Sequence, residues 1–306
     1  MRELRLAGGP LEAVLLPEAG ARLHRLRAFG HDLLRTPDDP AEHLRDPFFW
    51  GAYVLAPWCN RAPTGPFTVG GRTLDLGSNF ADGSAIHGQL YARPWTVDGD
   101  GTTCRISAGE NGWPWAYEAT LSARIAHGAL GLELALTNRS DAPMPAGLGL
   151  HPWWRRPLRL AVEAERVYES NTEPSKARPL AGRFDLGELA EPAPSLDATW
   201  TGLRSPVVRL AWPELGVGAR LEPSGAASHV VVASPPHLDA VAVEVQSHAP
   251  MGLQRLVAGK PGALTLLPPG GELKLGVALT VSRLADGQEE VAGVGEGADG
   301  AAPLYP

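Results

Sequence analysis

Hydrophobic and polar residues alternate with period two along much of the chain. Tyr117, Ala119, Leu121, Ala123 and Ile125 alternate with Glu118, Thr120, Ser122 and Arg124. After a turn at Ala126-His127-Gly128-Ala129, Leu130, Leu132, Leu134 and Leu136 repeat the period. Strict alternation is the mark of a strand with one buried face, so the two runs predict an antiparallel hairpin. Leu273, Leu275, Val277, Leu279 and Val281 predict another strand. In Ala240 to Gln246, Val241, Val243 and Val245 share one face, and Glu244 points the other way with Ala240, Ala242 and Gln246. Helical periodicity is nearly absent; Asp39 to Arg45 allows one or two turns, with Pro40 first. The pattern predicts an all-β fold, a large antiparallel β-sandwich.

The 29 prolines and 36 glycines punctuate these runs at short intervals. No linker or repeat interrupts residues 1–284, read as one domain, whereas Ala285 to Pro306 is rich in Gly, Ala and Glu, lacks periodicity and reads as a flexible tail. A chain of 306 residues buries roughly 75% of its unfolded surface and needs no disulfide or metal to fold. Cys59 and Cys104 carry no pairing signature. The net charge of −7 argues against a nucleic-acid partner. The first residues are too charged for a signal peptide, and no apolar run spans a membrane, so a cytoplasmic location is expected.

The chemistry concentrates in a few places. Gly147-Leu148-Gly149-Leu150-His151-Pro152-Trp153-Trp154 sets a titratable ring beside aromatic faces on glycine-thinned backbone, as a sugar pocket requires, and Pro152 is expected to end any regular ladder. A buried structural histidine would look the same. His87, before Gly88, is suited to presentation from a tight turn, yet on its own reads as a hydrogen-bonded structural residue. Arg61, after Asn60, offers a rigid fork of donors for hydroxyls or a carboxylate, although an ordinary surface ion pair explains it as well. Asp197 reads locally as a turn cap. Glu244 would become a base if its face lined a pocket, because desolvation raises a carboxyl pKa; the local pattern slightly favours solvent exposure. Gly293-Val294-Gly295-Glu296-Gly297-Ala298 spells a dinucleotide fingerprint without the βαβ unit that would give it meaning. The nine histidines show no metal-ligand spacing.

In order, Pro57-Trp58-Cys59-Asn60-Arg61, Gly65-Pro66-Phe67, Gly70-Gly71-Arg72, His87-Gly88, Trp113-Pro114-Trp115, Thr137-Asn138, Met144-Pro145, Gly149-Leu150-His151-Pro152-Trp153-Trp154, Leu196-Asp197-Ala198-Thr199-Trp200 and Val243-Glu244 resemble the aldose 1-epimerase (galactose mutarotase) family. The resemblance implies a supersandwich with an open cleft and interconversion of the α and β anomers of a free aldose of glucose or galactose type. It implies Glu244 as general base, His151 as general acid and His87 as an assisting residue that hydrogen-bonds near the ring oxygen. It implies Arg61, Asp197 and Asn60 as sugar-binding residues, with no cofactor or metal, a monosaccharide as the partner, and a monomer or weak homodimer. Two departures stand out: Val245, not proline, follows Glu244, and two tryptophans stand where tyrosine and phenylalanine are common. Two alternatives stay open. One is a hexose-6-phosphate 1-epimerase using Arg22, Arg72 and Arg93 for the phosphate; the other is a carbohydrate-binding protein without turnover.

Overall fold

The computed structural model describes residues 1–109, 112–172 and 176–284. The expected tail and the fingerprint spelling lie outside these residues. Two antiparallel sheets dominate. An eleven-stranded sheet runs, edge to edge, through Leu4–Gly8, Leu11–Leu16, Arg22–Ala28, Ala52–Leu55, Gly149–Arg155, Ala240–Gln246, His229–Ser234, Leu196–Thr201, Arg166–Tyr168 and Arg178–Pro179, with His31–Asp32 beside Arg22–Ala28. An eight-stranded sheet contains the predicted hairpin, Tyr117–Ala126 with Ala129–Asn138, next to Glu272–Arg283. The hairpin closes through His127 and Gly128, at φ 50° and 75°. Positive φ at both central positions matches the right-handed twist of the flanking strands. Asp39–Arg45 forms only one short helical stretch, Glu42–Arg45.

The sheets bury their facing sides in one apolar core that includes Leu150, Trp154, Val241, Val243 and Val245 from the large sheet and Leu130, Leu132, Leu134, Leu136, Leu275 and Leu279 from the smaller one. The middle strands of the large sheet are covered on their other side too. There Tyr53, Leu55, Cys59, Trp153, Ala240 and Ala242 form a second apolar cluster. Ala240–Gln246 is therefore buried at every position, as in strands sandwiched between two layers. This second face carries the candidate site.

Pro152 does not end its strand. Gly149–Arg155 runs through it, pairing with Ala52–Leu55 up to Pro152↔Ala52, and with Ala240–Gln246 again at Trp153↔Ala242. Proline withdraws a single donor, and the chain recovers at once through Trp153 N–H, which donates to Gly51 O at 2.9 Å.

Candidate active site

The centre of the site is a row of side chains crossing the large sheet. Tyr53 pairs with His151. The register that sets Leu150 against Val245 and Trp153 against Ala242 places His151 opposite Glu244. Glu244 pairs with Val231, and Val231 with Thr199. The next row on the same face is Trp153, Ala242, Ala233 and Asp197. The two alanines keep the floor low. A cleft of about 390 Å³ opens above it, lined by all six residues singled out in the sequence: Glu244, His151, His87, Arg61, Asp197 and Asn60. The local expectation of an exposed Glu244 fails because neighbouring strands and loops cover this face, leaving Glu244 3% exposed. Asp197 is a strand residue in Leu196–Thr201, not a turn cap.

His151 Nε2 and Glu244 Oε1 are 3.2 Å apart. Burial raises the Glu244 carboxyl from 4.5 to about 8; its contact with Gln246 and the charge of Arg61 oppose this, and Asp197 adds to it. Burial likewise pushes His151 well below the usual imidazole range, assisted by neighbouring His87 and Arg22. For both groups, burial favours the uncharged form. The His151 ring stacks on Tyr53, centroids 4.5 Å apart and planes 19° apart. Behind Tyr53 lies the buried guanidinium of Arg22, 4.7 Å from the ring centroid. Arg22 donates to Trp50 O and Pro47 O at 2.7 Å and to Tyr91 O at 3.0 Å. It thereby fastens the segment that carries Phe48 and Phe49, two walls of the cleft.

Loops supply the rest. The short pairing of Arg61–Ala62 with Ala85–Ile86 brings Asn60 and His87 together. Both sit at positive φ, 58° and 62°. They bond reciprocally: His87 N–H donates to Asn60 O at 3.1 Å, and Asn60 N–H donates to His87 Nδ1 at 3.2 Å. An accepting Nδ1 leaves the neutral ring its hydrogen on Nε2, available as a donor. Burial first, then Arg61, lowers the His87 pKa to about 3, so the ring stays neutral. Gly88 is required because a Cβ there would lie 1.9 Å from Ala56 O. Arg61 makes the ion pair its residue type suggests, Nε to Asp82 Oδ2 at 2.6 Å, and lines the cleft as well.

The glycines of the His-Pro stretch serve another purpose than a sugar pocket. A Cβ on Gly147 would lie 2.4 Å from His248 Cδ2, and one on Gly252 would lie 2.3 Å from His248 Nδ1. The His248 ring fits between them, accepting from Cys59 N–H at 3.0 Å through Nε2. Its Nδ1–H donates to Ala249 O at 2.8 Å. His248 thus anchors the backbone that leads into Asn60 and Arg61. The two tryptophans separate by strand alternation: Trp153 lines the cleft, whereas Trp154 packs near Trp212 in the core, centroids 5.9 Å apart.

Several contributors carried no sequence signal that singled them out. Asn171, 1% exposed, donates to Asp197 Oδ1 and accepts from Thr199 Oγ1, both at 2.5 Å. Tyr53, Phe48, Phe49 and Phe80 provide aromatic walls. By contrast, Arg22, Arg72 and Arg93 are absent from the cleft lining, where Arg61 is the one arginine among the described residues. Arg72 turns instead to Asp141 and Pro114 O. No group of three or more His, Cys, Asp or Glu among the described residues is arranged to hold a metal ion. No helix among them is long and apolar enough to cross a membrane.

The family model for aldose 1-epimerase matches residues 3–279. The chain belongs to the aldose 1-epimerase family. Solved structures with the same fold include a putative aldose 1-epimerase from Escherichia coli K12, with TM-score 0.78, 21% identity, and 92% of this chain and 99% of that one covered. An aldose epimerase homologue from C. elegans superposes with TM-score 0.77 at 18% identity, covering 93% and 99%. Among curated proteins, the uncharacterized protein YihR of Escherichia coli K12 is 30% identical over 157 residues, a match spanning 48% of each chain. The family model spans nearly the whole chain, and the solved structures share its fold.

Proposed function

We propose that this aldose 1-epimerase family member interconverts the α and β anomers of a free, uncharged aldose, with Glu244 as general base and His151 as general acid. The observation that carries this reading is the 3.2 Å contact between Glu244 Oε1 and His151 Nε2 on the floor of the cleft. The two oxygens that must exchange protons in a cyclic aldose, the C1 hydroxyl and the ring oxygen, are bonded to one carbon. Two proton-handling atoms a hydrogen bond apart match that spacing.

Glu244 takes the proton of the C1 hydroxyl while His151 delivers one to the ring oxygen. The C1–O bond of the ring breaks, and the C1 carbonyl forms. The open aldehyde turns about C1–C2 and closes on its other face, with the two groups exchanging roles. Ring opening converts a carboxylate and an imidazolium into a carboxyl and an imidazole, the pairing that burial favours. The charged pairing gains from Arg61, which draws the carboxyl toward its ionised form. Each proton transfer is worth on the order of 10²–10⁴ in rate. His87, neutral with a hydrogen on Nε2, donates near the ring oxygen. Arg61, Asp197 and Asn60 hold hydroxyls, and the aromatic walls cover the apolar faces of the sugar. A single arginine already paired to Asp82, with no other Lys or Arg in the lining among the described residues, favours an uncharged sugar over a hexose 6-phosphate.

Polarimetry or proton NMR of freshly dissolved α-glucose and α-galactose tests the reading. Glu244→Gln is expected to lower kcat by about 10²–10⁴ while sugar still binds. If the wild-type protein leaves every aldose tried at its buffer rate, the reaction is wrong. If Glu244→Gln keeps the full rate, Glu244 is not the base.

A further inference from the structure

Gln246 follows Glu244 by two residues on the same strand, so both side chains emerge on the cleft side of the large sheet. Gln246 is 1% exposed. It lies opposite Gly149 on one neighbouring strand and His229 on the other. Its Nε2 donates to Glu244 Oε2 at 2.7 Å. Its own Oε1 is buried and finds no partner among the described residues. A buried amide oxygen without a partner costs stability. Turning the amide over would set that oxygen against the carboxyl oxygen of Glu244, so the orientation with the donor toward Glu244 is the one retained.

Resting on Glu244 as the base, we propose that Gln246 is its positioning residue: the amide occupies Oε2, so that Oε1, the oxygen facing His151 and the cleft, is the only one that exchanges a proton with substrate. Oε2 accepts the same N–H whether Glu244 is ionised or protonated. The proton gained from the sugar is thereby directed to Oε1, and the carboxylate keeps its orientation through both halves of the cycle. The same donor favours the ionised form and works against the burial that opposes it. The other groups around this carboxyl are His151 and Tyr53 from the strands on one side, Cys59 and Arg61 from the loops, and Asp197 farther along the sheet, with His87 against the His151 ring. On His229–Ser234 the cleft side offers Val231 and Ala233, with His229 beside Gln246; His229 is neutral, its pKa lowered to about 3 by burial. Among the described residues none of these donates to Oε2, so Gln246 carries that role.

The test uses Gln246→Met, which keeps length and removes the donor, and Gln246→Glu, which sets a second carboxyl against Oε2. Each is compared with wild type over pH 5–9. The acidic limb of kcat/KM is expected to move up by about one unit in Gln246→Met, lowering the rate near pH 6 roughly tenfold, and farther in Gln246→Glu, with KM nearly unchanged. In the free proteins, the carboxyl stretch assigned by infrared difference against Glu244→Gln should show the same order of midpoints. A purely structural role would lower rate or stability at every pH without that order. Superimposable midpoints for wild type and Gln246→Met overturn the proposal. The infrared titration needs no sugar. Ordered midpoints in a protein that turns over no aldose would retain the Gln246–Glu244 coupling and discard the reaction.

Discussion

Adding one methyl group at Gly147 tests the anchoring role of His248. The Cβ of Gly147→Ala would lie 2.4 Å from His248 Cδ2 and 2.6 Å from Nε2, well inside contact distance. The ring cannot retreat freely, because Gly252 borders it on the other side, where a Cβ would lie 2.3 Å from Nδ1. Overpacking of this kind costs about 1–3 kcal/mol. If the ring swings away, Cys59 N–H loses its buried acceptor, at a further cost of about 1–3 kcal/mol. A loss of about 3 kcal/mol is expected, which lowers Tm by roughly 5 °C in a chain of 306 residues. Urea unfolding followed by circular dichroism measures it. The same substitution made in a His248→Ala background should cost little, because the obstructing ring is gone, and the double-mutant cycle reads the difference. The reasoning is refuted if Gly147→Ala stays within about 0.5 kcal/mol of wild type, or if its cost persists without the ring.

Acid should unfold the protein. His43, His87, His229 and His248 are held neutral, with pKa values lowered to about 2, 3, 3 and 4. Their stabilisation is present above the unfolded value near 6.5 and is lost as pH falls below it, at about 1.4 kcal/mol per unit for each proton taken up on unfolding. Glu244, raised to about 8, acts in the opposite sense and removes stability as pH rises from about 4.5 toward 8. Urea midpoints should therefore drop steeply between pH 6.5 and 5; a flat profile would contradict neutral histidines. Asn171→Ala frees Asp197 from its 2.5 Å partner, and steady-state kinetics should show KM raised roughly tenfold with kcat nearly kept, the pattern of lost binding without lost chemistry.

The strands of the smaller sheet are legible in the alternation of Tyr117 to Leu136, because that periodicity is local and one face is wholly apolar. The two-faced nature of Ala240–Gln246 is legible as well: valines inward, small residues and Glu244 outward. What covers the outward face is not legible, since exposure depends on loops distant in sequence, and the local reading of Glu244 as exposed fails for that reason. The partnership of His151 with Glu244 is a matter of register between remote strands, reached in the sequence only through family resemblance. Asn171 and Arg22 carry no local mark, and their roles arise from partners far along the chain. The glycines beside His151 mislead in an instructive way: Gly147 makes room for a neighbouring ring, not for a ligand.

The crosswise row from Tyr53 to Thr199 divides the site into two kinds of parts. The proposed acid and base, His151 and Glu244, sit on adjacent central strands, where slipping either strand by one residue would turn its side chain into the core. Phe48, Phe49, Phe80 and Asn60 come instead from connections between the main strands, where changes of length and composition are tolerated. Under the proposed reaction, proton transfer and sugar choice can therefore vary separately. On that reading, exchanging the segments around Phe48 and Phe80 is a route to new sugars that leaves the reacting pair where the sheet holds it.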